Sequence, residues 1–150
     1  MKRTEAREIA IRLCYELSSK ECSAEDVLEK FFEDEHYATL ASEDEVYSAF
    51  PDDRQMKYIR ELVIGIGEHS AELDGYVEKY LRGWQFGRIS RTALAVIKTA
   101  MYEILYMPDV PNAAAINDAV EISKGYDEPE VVSFINGVLG SFVREEIKEQ

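Results

Sequence analysis

Ile89-Ser90-Arg91-Thr92-Ala93-Leu94-Ala95-Val96-Ile97-Lys98-Thr99-Ala100-Met101-Tyr102-Glu103-Ile104-Leu105 decides the fold class. Ile89, Leu94, Val96, Ile97, Ala100, Met101, Ile104 and Leu105 repeat at helical spacing and leave little of the surface polar. A helix that is apolar on most sides belongs in the centre of a helical protein. Pro108 and Pro111 stop it, because proline cannot continue the hydrogen-bond ladder.

Amphipathic helices flank this element on both sides. Ala6, Ile9, Ala10, Leu13 and Leu17 share one face and predict a first helix over about 4–19. Ser23 opens a second with a capping-box pattern that uses Asp26, and Val27, Leu28, Phe31 and Phe32 form its buried face. Residues 36–52 are loop-like or only briefly helical. A third helix carries Met56, Ile59, Leu62, Val63 and Ile66, and a short fourth carries Leu73, Val77, Tyr80 and Leu81. Gly83-Trp84-Gln85-Phe86-Gly87 is expected to be a turn whose aromatics plug a seam. A sixth helix over 112–124 ends at Gly125, and Pro129 opens a seventh with Val131, Phe134, Ile135, Val138 and Phe142. The expectation is an all-α fold of about seven helices in two small packed bundles. They would form one domain, with an N-terminal sub-bundle over about 1–68 and a C-terminal one over about 69–148.

Composition narrows the function. At 150 residues, 46% hydrophobic and 31% charged, the chain is of globular type. No apolar run reaches the roughly 20 residues that span a bilayer, and no secretory signal is apparent. Cys14 and Cys22 lack metal-ligand spacing, so reduced thiols in a cytoplasmic protein are expected. His36 and His69 lie in or beside predicted loops, outside any zinc motif. The Gly65-Ile66-Gly67 run lacks the rest of a phosphate-binding loop, and no nucleophile elbow occurs. The sequence therefore predicts neither an enzyme nor a cofactor.

The net charge of −13 opposes general binding to nucleic acid, whose affinity for proteins comes from clustered Lys and Arg. Residues 1–12, however, hold Lys2, Arg3, Arg7 and Arg12 against two acids, whereas residues 16–54 hold thirteen acids against three bases. A small basic tip on an acidic body suits a local RNA contact and a basic protein partner.

Two short motifs go further. Ile116-Asn117-Asp118-Ala119-Val120-Glu121 and Phe134-Ile135-Asn136-Gly137-Val138-Leu139 each set an asparagine beside an apolar stripe. Asparagine is a mediocre helix former, so its presence calls for an interhelical hydrogen bond or a contact surface. The tie between helices is the expected role.

With these motifs the chain resembles the NusB family of bacterial transcription antitermination factors. Lys124 extends the first motif, and Val110-Pro111 precedes it, as in that family. Ala100-Met101-Tyr102-Glu103-Ile104 is similar to its Ala-x-Tyr-Glu-Leu. Leu73-Asp74-Gly75 with Tyr80-Leu81, then Trp84 and Arg88-Ile89, are similar to its fourth helix and tryptophan turn. Arg7-Glu8, Ala10 and Tyr15 resemble its opening.

The resemblance implies a heterodimer with NusE, the small-subunit ribosomal protein that doubles as a transcription factor. It implies binding to boxA RNA in nascent ribosomal RNA transcripts and, indirectly, action on the RNA polymerase elongation complex. Carried over by position, it implies RNA contacts at Lys2, Arg3, Arg7, Tyr80 and Phe134, and a partner contact at Glu130. Ala93 departs from an acidic residue associated with NusE docking, and Lys98 departs from arginine. A NusB-like helical module that binds protein without specific RNA recognition is the alternative, and the apolar seventh helix leaves a homodimer open.

Overall fold

The computed structural model describes residues 1–17, 23–81 and 89–147. Among them are eight α-helices, one 3-10 turn and no strand. The turn expected at Gly83–Gly87, with Trp84, lies outside the described residues, as do Arg88 and Cys22. The described chain divides into two compact units, Met1–Glu68 and His69–Gln150.

In the first unit, α1 (Arg3–Leu17) packs chiefly on α4 (Asp53–Glu68). Ala6, Ile9, Ala10 and Leu13 of α1 and Ile59, Leu62 and Val63 of α4 are wholly removed from solvent. Helix α2 (Ala24–Phe31) covers both, and its start follows the sequence reading: Ser23 Oγ accepts the Asp26 N–H at 3.1 Å. Helix α4 begins in a reciprocal capping box, in which Gln55 N–H donates to Asp52 Oδ1 (2.8 Å) and Asp52 N–H donates to Gln55 Oε1 (2.9 Å).

The extra helix beyond the expected seven is α3 (Asp34–Leu40), where the sequence predicts a loop-like stretch from residue 36. It buries only Tyr37, so it has no apolar stripe to betray it. An aromatic cluster anchors it instead: the Tyr37 ring lies 5.0 Å from Phe50, 5.6 Å from Phe32 and 5.9 Å from Tyr47, centroid to centroid.

In the second unit, α6 (Arg91–Tyr106) is central, packed against α5 (Ser70–Lys79), α7 (Asn112–Ser123) and α8 (Pro129–Glu146). Ten of its sixteen residues are buried, in keeping with its pattern. Ser90 caps it by accepting the Ala93 N–H at 3.0 Å, and it ends before Pro108. Pro129 occupies the start of α8, where its missing N–H costs nothing. Phe142 is fully buried, with Tyr76 edge-on at 5.1 Å.

Candidate nucleic-acid and protein interfaces

The basic tip is smaller in space than in sequence. Lys2 and Arg3 are exposed, and the Arg3 guanidinium lies 4.1 Å from the Tyr58 ring centroid, a cation–π contact that holds it against α4. Arg7 is only 2% exposed and sits 5.8 Å from the same ring, so it braces the interior of the first unit rather than facing a phosphate.

Arg12 is also engaged. Its Nη2 donates to Glu8 Oε2 at 2.8 Å and Asp44 Oδ2 at 2.9 Å, and its Nη1 donates to the Tyr47 hydroxyl at 3.0 Å. These bonds clamp the 3-10 turn Glu45–Tyr47 to α1. Asp44 is held below its ordinary value by the Val46 N–H and then by Arg12. Tyr37, buried and donating to the Ala49 carbonyl at 2.8 Å, is pushed up to about 12, chiefly by burial.

The fold adds one cation that sequence reasoning missed. Arg54, in the first turn of α4, lines a small cleft of about 180 Å³ with Arg3, Asp52 and Gln55. Only the packing of α4 on α1 brings it there. The resulting patch is Lys2, Arg3 and Arg54, with Arg7 behind it.

In the second unit the expected contacts divide. Tyr80 is 3% exposed, and its hydroxyl donates to Glu146, whose Oε2 also lies 2.6 Å from Lys79 Nζ. Burial and this bond raise the phenol's pKa. Tyr80 thus ties the end of α5 to the end of α8 and offers no ring for base stacking. Glu130 is exposed in the first turn of α8, and Phe134, one turn later, is half-buried. Four residues apart, the two share a helix face.

The departures also have places. Ala93 is fully buried in the first turn of α6. Lys98, whose side chain is 13% exposed, lies 2.9 Å from Asp74 Oδ1 and donates to Ser70 Oγ at 2.8 Å, so it links α6 to α5 as a point charge. His69 is stacked on Tyr106 at 4.4 Å, and both face Glu72. His36 is exposed on α3 rather than in a loop, edge-on to Phe31. Among the described residues no cluster of His, Cys, Asp and Glu could hold a metal ion, and no helix is long and apolar enough to cross a membrane.

The asparagines overturn one expectation. Asn117 and Asn136 are both exposed, and neither side chain has a hydrogen-bond partner among the described residues. They tie no helices together. Instead both line a groove of about 580 Å³ along α7 and α8, with Val120, Glu121, Lys124, Asp127, Pro129, Val132 and Ser133.

Comparison with known proteins places this arrangement. The model of the NusB family matches residues 4–144. The chain is 37% identical to transcription antitermination protein NusB of Acetivibrio thermocellus over 144 residues, covering 96% of this chain and 90% of that protein. It is 33% identical to the protein of the same name from Listeria monocytogenes, covering 97% and 99%. A solved structure of T. maritima NusB superposes with a TM-score of 0.71 at 25% identity, over 97% of this chain and 92% of that one.

Proposed function

The chain belongs to the NusB family, and from that premise we propose that it is a transcription antitermination factor that works without catalysis. In this reading it pairs with NusE and binds boxA RNA of nascent ribosomal RNA transcripts in the cytoplasm. The elongating RNA polymerase then passes terminators. The two compact units serve together as one NusB-like domain. The observation that carries the reading is similarity along nearly the whole chain, at 37% identity to a protein named for that role.

The site residues take graded parts. Lys2 and Arg3 contact phosphates, with Arg54 beside them; Arg7 positions Arg3 through the shared Tyr58 ring. Glu130 and Phe134 form the partner-facing or RNA-facing edge of α8. Tyr80, being buried, leaves the contact set. Three cations on a chain of net charge −13 make a weak RNA binder alone. A basic ribosomal protein docked on the acidic surface supplies the remaining charge.

The test is binding of a fluorescent boxA-like RNA at fixed salt, with and without purified NusE. Affinity that rises with NusE, for boxA over a scrambled control, supports the reading. If NusE docks and boxA gains nothing over the control, the protein-only module is correct, and the net charge already favours that alternative. For the isolated chain, single strands lose about 0.7 log units of affinity per neutralised charge and per tenfold in salt. Three cations therefore predict a slope of roughly −2.

A further inference from the structure

The groove along α7 and α8 has hydrogen-bonding capacity that the fold leaves unused. Asn117 and Asn136 are exposed within helices, where asparagine is less favourable than alanine, and neither amide is bonded within the described chain. A third group reinforces them. Asp127 lines the same groove, and its Oδ2 is buried with no hydrogen-bond partner among the described residues. Its other oxygen lies only at the 3.5 Å limit from Ser90 Oγ. A carboxylate oxygen withdrawn from water without a donor is costly, and here burial raises the acid's pKa.

The charge of the groove selects the occupant. Lys124 lies 2.7 Å from Glu121 Oε2, so that pair is matched. Asp127 is the charge left over, and it is negative. Phosphate would be repelled there, and among the described residues none of the nine that line the groove is aromatic or arginine, the usual platforms for an unstacked base. A helix is equally unsuited, because its main-chain groups are already bonded internally. An extended chain keeps its N–H and C=O groups open, and a side-chain amide can donate to one and accept from the other.

We propose that the α7–α8 groove is a peptide-docking site. It takes an extended polypeptide segment whose main chain bonds Asn117 and Asn136 and whose Lys or Arg side chain reaches Asp127. Val120, Val132 and Pro129 supply the apolar wall for neighbouring side chains.

The test presents a display library of short unstructured peptides to the whole chain, and a fluorescent single-stranded RNA pool to the same protein. Enriched peptides are expected to carry Lys or Arg. Their affinity should fall by about tenfold for Asp127→Asn and again for the pair Asn117→Ala with Asn136→Ala, with RNA binding and melting temperature held. The proposal is overturned if no enriched peptide depends on these residues. It is overturned equally if the variants weaken RNA instead, which would make the groove a base reader. A lowered melting temperature for the asparagine variants would make them structural ties and sink it as well.

Discussion

Helix α1 and the α7–α8 pair both set polar side chains beside an apolar stripe, with opposite outcomes. On α1, Arg7 is buried and Arg12 is bound to Glu8, Asp44 and Tyr47, so half of the apparent basic tip is internal structure. On α7 and α8, Asn117 and Asn136 are open to solvent and unbonded among the described residues. What distinguishes a contact surface from a brace is therefore unused hydrogen-bonding capacity, not charge or residue type.

The second unit can leave its amides open because apolar packing holds the body of α8, and polar bonds from Lys79 and Tyr80 to Glu146 secure only its end. Val132, Ile135, Val138, Leu139 and Phe142 are buried along one side of it. Replacing Phe142 by alanine should accordingly give the largest loss, about 3–5 kcal/mol in denaturant unfolding, the range for a fully buried phenylalanine. A loss under about 1 kcal/mol would mean that other groups hold α8, and the contrast between the regions would collapse.

The first unit depends more on polar anchoring. Arg12→Ala should cost about 1–2 kcal/mol, below the full value of three charge-assisted hydrogen bonds because the side chain is a quarter exposed. Arg12→Lys should recover little of it, since an ammonium cannot reproduce the guanidinium fork. A lysine variant as stable as the parent would reduce the network to simple charge pairing.

Acid should probe the same anchor more gently. The folded pKa of Asp44 is lowered, so its contribution is present above the ordinary carboxylate value of about 3.9 and fades as pH falls through the folded value. The Val46 amide resonance should follow that titration below pH 3.9 while the amides of Val138 and Leu139, in the middle of α8 and away from any carboxylate on that helix, serve as the reference. Val46 moving around pH 3.9 or above would mean that Asp44 is held neither by that N–H nor by Arg12.

Most of the fold was legible in sequence because periodic burial leaves a trace. The central helix, the Ser23 cap and the Pro129 start all appear where spacing and capping chemistry put them. Helix α3 was not legible, since it buries only Tyr37 and is held by rings from other segments. The interfaces were legible only in part. Residue type marked Lys2 and Arg3 but could not show that Arg7 and Tyr80 are buried, or that Arg54 joins Arg3 across two helices. Asn117 and Asn136 stood out at once, yet their role turned on a hydrogen bond that no pattern encodes.

That hydrogen bond gives the smallest and most discriminating effect. If the amides are open, alanine at 117 and 136 removes no contact and improves helix propensity, by up to about 0.6 kcal/mol each. Stability should hold or rise slightly in urea unfolding, opposite in sign to the Phe142 and Arg12 substitutions. If either amide bridged the helices, its loss would strand a partner group and cost about 1 kcal/mol or more. The sign alone decides, because no plausible error in the propensity scale turns a gain into that loss. A rise would leave binding as the remaining reason for two mediocre helix formers at the centre of good helices.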